Sequence, residues 1–276
     1  MLKLGTTLFS FQLEYVQNRW SLEDCMELAA YTGGDRGVEL VGPMHHRSWP
    51  DLTPEDERRL KSAFERWELV PTHYGAYTDM SYYHALDARF DFQIRQFKTA
   101  RQLGYRIVRI QSPGVDPILE RLVGAAEKMG LKLAIEIHVP KMFENPEFQA
   151  LLAQVRQISS PSLGFIIDTG IFEDVTGVRR FIGEAVDAQP FAPSRPETML
   201  EFMPLIMGLH GKFHRMDKGQ IPEVPFERIV SVLAQGRFDG WMSTEFEGGQ
   251  LGAYSNSFAV VQAHHRLMKT FIARYY

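Results

Sequence analysis

Short runs rich in apolar and β-branched residues alternate along the chain with longer stretches whose apolar residues recur at i, i+3 and i+4. The short runs have strand length and the long ones the period of an amphipathic helix, so the alternation predicts βαβ units and a parallel sheet. Eight strands are expected: KLGTTLF (3–9), GVELVG (37–42), LVPTHYG (69–75), RIVRIQS (106–112), LKLAIEIHV (131–139), LGFIIDT (163–169), IMGLHGKFH (206–214) and GWMSTEFE (240–247). Among the helical stretches, TPEDERRLKSAFERW carries its own start signal, with Thr53 as cap, Pro54 in the first turn and two acids behind it. Gly104, Gly130 and Gly236 each follow a helical run where a left-handed residue is wanted.

Helix after strand, repeated eight times, predicts a closed (β/α)8 TIM barrel as a single domain over 1–276. An open doubly wound sheet gives a similar alternation but needs fewer repeats, and no glycine-rich phosphate loop opens the first helix. The length of 276 residues suits one barrel, typically ~250 residues. The stretch AQPFAPSRPETMLEFMP (188–204) interrupts the pattern between the sixth helix and the seventh strand, with prolines at 190, 193, 196 and 204. It reads equally as a stiff lid or partner surface and as a long ordered loop.

Composition narrows the class. A hydrophobic content of 45% fills a core, while a net charge of −4 of mixed sign offers nothing to a polyanion. Nucleic acid is therefore not an expected partner. No apolar run nears the ~20 residues that cross a bilayer, and MLKLGTTLFSFQ has no signal-peptide pattern, so no membrane association and a cytoplasmic location are expected. The single cysteine, Cys25 in SLEDCMELA, makes no internal disulfide and is expected to pack in the core.

In a parallel barrel the strands end on one rim, so polar residues late in different strands meet there. Glu136 and His138 end strand five, Asp168 ends strand six, His210 lies in strand seven and Glu245 ends strand eight. A single strand-end acid is commonly a salt-bridge or cap partner. Four successive strands delivering such groups favour a shared cation, because an unpaired buried carboxylate costs several kcal/mol. Three carboxylates and an imidazole suit one divalent ion, Mn²⁺ or Mg²⁺, with Co²⁺ or Zn²⁺ as substitutes.

Further candidates are His73 and Glu39, late in strands three and two, and Lys212, on the face of His210; all three are assigned to substrate binding, with a salt bridge to a ligand carboxylate as the equal alternative for Lys212 and a hydrogen bond to a neighbour for Glu39. His45 and His46 read as a solvated loop. Tyr74, Tyr77, Tyr82 and Tyr83 read as rim packing or a flat wall for a ring, and His264 and His265 as structural residues of the last helix.

The run from IEIH through IIDTG and LHGKF to STEFEG resembles the xylose-isomerase-like barrels, which include sugar isomerases and the sugar-phosphate isomerase/epimerase proteins. That resemblance implies one divalent ion, Mn²⁺ first, on Glu136, Asp168, His210 and Glu245. His210 is preferred to His214 because HGK at 210–212 looks like the family's His-x-Lys. One departure is Ile171, where the better-known ketose epimerases place a substrate-binding His. The three-zinc endonuclease members carry extra His and Asp ligands, and no full set is found here.

IEIHVP, DTGIF and HGKF look most like the large subunits of C-glycoside deglycosidases, which act on 3-oxo-glycosides. The resemblance implies metal-assisted proton removal beside a sugar ketone, a sugar or glycoside as substrate, and either a smaller second subunit or a homo-oligomer. Glu136 and Glu245 would serve as base and acid in an isomerase or epimerase. His138, one pleat from Glu136, would be the base if an aglycone is eliminated. The rival expectation from another class is a non-catalytic barrel that binds a sugar or serves a partner subunit.

Overall fold

The computed structural model describes residues 1–77, 85–111, 114–173, 192–248 and 256–276. Its strands close a barrel in chain order: β1 (Lys3–Thr7), β2 (Gly37–Val41), β3 (Val70–Ala76), β4 (Ile107–Ile110), β5 (Lys132–Ile137), β6 (Leu163–Asp168), β7 (Ile206–Phe213) and β8 (Trp241–Phe246). Every neighbouring pair is parallel, and β8 returns to β1 from Lys3↔Trp241 to Thr6↔Thr244, which excludes an open sheet. All eight strands fall within a residue or two of their expected bounds.

The longer helices among the described residues are α1 (Leu22–Ala30), α2 (Pro54–Arg66), α3 (Leu86–Gln102), α4 (Leu119–Lys128), α5 (Pro146–Ile158), α6 (Phe226–Gln235) and α7 (Ser257–Tyr275). None is long and apolar enough to cross a membrane. Helix α2 begins as its sequence predicts: the Thr53 hydroxyl accepts from the Asp56 amide at 3.1 Å, Pro54 leads, and Glu55, Asp56 and Glu57 occupy the positive end of the helix dipole. It buries Leu60, Ala63 and Phe64.

Outward strand residues such as Leu133, Ile135, Ile137, Phe165 and Ile167 are buried under this helical layer, each such side chain contributing about 1.5–3 kcal/mol. Cys25 joins that core, and burial pushes its thiol up to about 12.

The inward faces carry the charged residues. The register places Arg109 beside Ala134, Glu136 beside Ile166, Asp168 beside His210 and Lys212 beside Glu245, and paired residues share a face. A bulge against Glu39 sets Val38 opposite Pro71 but Leu40 opposite Tyr74, so Thr72 and His73 both reach the interior. Glycines make the room: a side chain at Gly208 would meet the His73 ring, one at Gly75 the Arg109 guanidinium, and one at Gly37 the Trp241 ring that fills the lower barrel.

Three expectations are corrected. Gly104 and Gly130 are left-handed as predicted, but Gly236 has φ −76° and the left-handed residue is Arg237. Gly236 instead lets Met203 approach, since a Cβ there would meet its side chain at 2.6 Å. His45 and His46 are not solvated. Residues Gly42–His45 form a short helix, the Val41 amide donates to His45 Nδ1 at 2.9 Å, and His46 Nε2 lies 2.8 Å from the Tyr74 hydroxyl. Tyr74 correspondingly packs outside the barrel, against Tyr105.

Of the proline-rich stretch, residues 188–191 lie outside the described residues, as do Tyr82 and Tyr83. From residue 192 it is an ordered loop. The Ser194 hydroxyl accepts from the Phe143 amide and donates to Glu144, while Met199 and Phe202 enter the core.

Candidate metal centre and active site

Glu136 and Glu245 rise from the upper ends of β5 and β8, Asp168 ends β6, and His210 stands between them on β7. One ligand atom from each of the four lies within 4.8 Å of all the others, and all four residues are buried. The His210 ring explains why the set suits a cation. Its Nε2–H donates to Glu39 at 2.7 Å, so a neutral ring turns the Nδ1 lone pair toward Glu136 Oε1 at 2.9 Å and Glu245 Oε2 at 2.8 Å. A lone pair facing two carboxylates needs a positive charge between them. Burial works against an imidazolium there, but the charges of Glu39 and Glu245 outweigh it and raise the His210 pKa well above its ordinary value. The proton stands where a divalent ion could be held by the same four residues.

Beneath this set lies a charged floor built on Arg109, a residue that sequence reasoning missed. Arg109 Nε donates to Glu39 at 2.8 Å and its Nη1 to Glu136 Oε2 at 2.7 Å, tying β2 to β5 through β4. Burial opposes ionisation of Glu39, yet the His210 and Arg109 charges hold its carboxyl at about 2. His73 Nδ1 lies 3.8 Å from Glu39, and burial depresses its pKa to about 4. Glu39 and His73 are wholly buried, so the structure sets both of these expected substrate contacts below the rim, with Glu39 committed to His210 and Arg109.

Above the floor, Lys212 Nζ lies 3.0 Å from Glu247 and 3.4 Å from Asp168. His138 lines a small cavity with Val139, Asp168, Gly170, Glu173, Lys212 and His214. Its Nδ1 hydrogen-bonds the Val139 carbonyl. A carbonyl only accepts, so Nδ1 carries the proton of that bond, and in the neutral ring the lone pair is on Nε2. Glu173 and His214 complete the wall, with Glu247 against His214 and Lys212; from the sequence, His214 was weighed only as the rejected alternative to His210, and Glu173 and Glu247 were not singled out. Glu247 carried a signal, since it repeats Glu245 at the strand period of two. Tyr77 lies at the rim with its ring 5.3 Å from the Arg109 guanidinium, and Ile171 is buried in the turn Thr169–Phe172. His264 and His265 are structural as expected, bonded to the Thr244 hydroxyl and the Gly5 carbonyl.

The model of the xylose isomerase-like TIM barrel family matches residues 26–270. The chain belongs to that family. The 3'-dehydrocarminate deglycosidase alpha subunit of Microbacterium sp. is 27% identical, the match covering 97% of this chain and 94% of that protein. A C-glycoside deglycosidase alpha subunit of Arthrobacter globiformis is also 27% identical, over 97% of this chain and 92% of its own length. Among solved structures of this barrel type, L-ribulose 3-epimerase superposes with a TM-score of 0.70 at 15% identity, over 99% of this chain and 95% of that one. The last similarity speaks to the fold alone.

Proposed function

We propose that this chain is a divalent-metal-dependent enzyme that removes a proton beside the ketone of a 3-oxo-glycoside and expels the aglycone by β-elimination. The observation that carries this is His138. It opens on the cavity beside Asp168 and Lys212, its Nδ1 is committed to a backbone carbonyl, and Nε2 is left as a base one pleat from Glu136. The similarity to deglycosidase alpha subunits supports the same substrate class and a second subunit as partner.

Glu136, Asp168, His210 and Glu245 would hold the ion, with Mn²⁺ the proposed occupant of an oxygen-rich set. When bound it supplies a Lewis acid that lowers the pKa of the carbon acid beside the ketone. His138 takes the proton, and Lys212, poised over Asp168, holds a substrate oxygen. An isomerase working through Glu136 and Glu245 is disfavoured, because Glu136 Oε2 is tied to Arg109. Burial opposes ionisation of Glu136, but Arg109 holds its carboxyl well below the usual range.

The test is single-turnover release of aglycone from a 3-oxo-glycoside at saturating Mn²⁺. EDTA should abolish release and Mn²⁺ restore it. His138→Asn should slow release by ~10² to 10⁴ with metal affinity unchanged, whereas Glu136→Gln, Asp168→Asn, His210→Ala and Glu245→Gln should each weaken metal binding. Release by metal-free protein, or ligand variants that bind metal like the parent, would overturn the proposal.

A further inference from the structure

The cavity that His138 lines has a second histidine on its wall. His214 follows β7 four residues after His210, and Glu173, just beyond β6, lies 3.4 Å from its Nδ1. On the other side Glu247, just beyond β8, lies 3.5 Å from its Nε2. Lys212 Nζ sits 3.0 Å from that same Glu247 oxygen and 3.4 Å from Asp168, so it balances both carboxylates. The ring is 5% exposed, deep enough for its neighbours to govern its charge.

Resting on elimination as the reaction, we infer that His214 is the general acid that protonates the departing aglycone. The two histidines of the cavity face different neighbours. His138 is bonded to a carbonyl that fixes one tautomer and leaves a lone pair, whereas His214 is flanked by carboxylates on both ring nitrogens, which favours the doubly protonated ring. Burial works against that charge, but the Glu173 and Glu247 carboxylates prevail and raise its pKa to about 9. A ring with one nitrogen committed to a carbonyl and a ring flanked by two carboxylates, on the wall of one cavity, can supply a base and an acid.

The balance is simple. The C–H bond beside the ketone breaks and its proton goes to His138 Nε2, while its electron pair forms the new C=C bond. The bond from the anomeric carbon to the aglycone breaks with its pair going to the aglycone, which takes a proton from His214. No oxidant or reductant is consumed. Lys212 and the Glu173 carboxylate remain in place through both steps.

The experiment compares two 3-oxo-glucosides in the Mn²⁺-loaded protein: a methyl glycoside, whose leaving alkoxide needs a proton, and a 4-nitrophenyl glycoside, whose leaving phenolate does not. His214→Gln should slow release of methanol by ~10² to 10⁴, the usual worth of a positioned acid, and leave release of nitrophenol within a fewfold of the parent. Glu173→Gln gives a second readout if His214→Gln does not fold. Removing one flanking carboxylate should move the alkaline limb of the pH profile for the methyl glycoside to lower pH. Equal losses on both substrates, or an unmoved alkaline limb in Glu173→Gln, would overturn the assignment and leave His214 a merely positioning residue. Failure of the parent on both glycosides would instead reject elimination itself, and the assignment with it.

Discussion

Two clusters of the same chemical make-up sit at different depths of this barrel, each built from carboxylates, a histidine and one long cation. In the lower one, Glu39, His73 and Arg109 are no more than 3% exposed. In the upper one, Glu173, His214 and Lys212 line a cavity, Glu247 lies against His214 and Lys212, and Lys212 reaches 10%. The difference is access. A closed set can only fix the position and charge of the residues above it, here Glu136 and His210, whereas an open set can meet an incoming atom.

The largest expected contrast is in stability. Arg109→Leu leaves Glu39 and Glu136 buried without their cation and should cost about 3–5 kcal/mol in urea unfolding. Lys212→Met, at a site water can reach, should cost markedly less, and equal costs would erase the distinction between floor and rim. Metal affinity comes next. Glu39→Gln removes the charge that orients His210 and should weaken Mn²⁺ binding about 10- to 100-fold by calorimetric titration, while Glu247→Gln should change it little. If the Glu247 variant loses more, the upper cluster rather than the floor supports the ligands.

The smallest effect has opposite signs in the two clusters. Glu39 is held at about 2 against an ordinary 4.5, so its contribution is present above 4.5 and lost as pH falls toward 2. His214 is raised to about 9 from 6.5, so its contribution is complete below 6.5 and lost as pH rises through 9. Unfolding curves of metal-free protein across pH should show both limbs, with Glu39→Gln relieving only the acid one and His214→Gln only the alkaline one.

The barrel was legible in the sequence because each strand is a short apolar run broken by turn residues, a signal that is local. The four clustered groups were legible because a carboxylate ending an apolar strand demands a partner. The same logic applied to Arg109 in RIVRIQS would have found the floor, since a guanidinium inside a buried strand is as costly as an acid. His45 and His46 were misread because PMHHRSW looks polar locally, and only packing from distant segments, such as Tyr74 on β3, buries them. The position of Arg237 one residue past Gly236 was hidden for a similar reason: Met203, far away in sequence, claims the space beside the glycine. Glu39 and His73 were expected late in their strands but sit at the middle of β2 and β3, because sequence gives no depth and the bulge opposite Glu39 carries no sequence mark.

The crowding of His210 Nδ1 by two carboxylates would make a metal centre here an exchanger of ions. Without an ion the position between Glu136 and Glu245 belongs to a proton, and on the proposed reading loading would expel it into solvent. Occupancy would then be set by a competition between metal activity and acidity, so that acidification at constant metal supply would empty the centre as surely as a chelator. A barrel built this way would couple its competence to the acidity around it without any moving part.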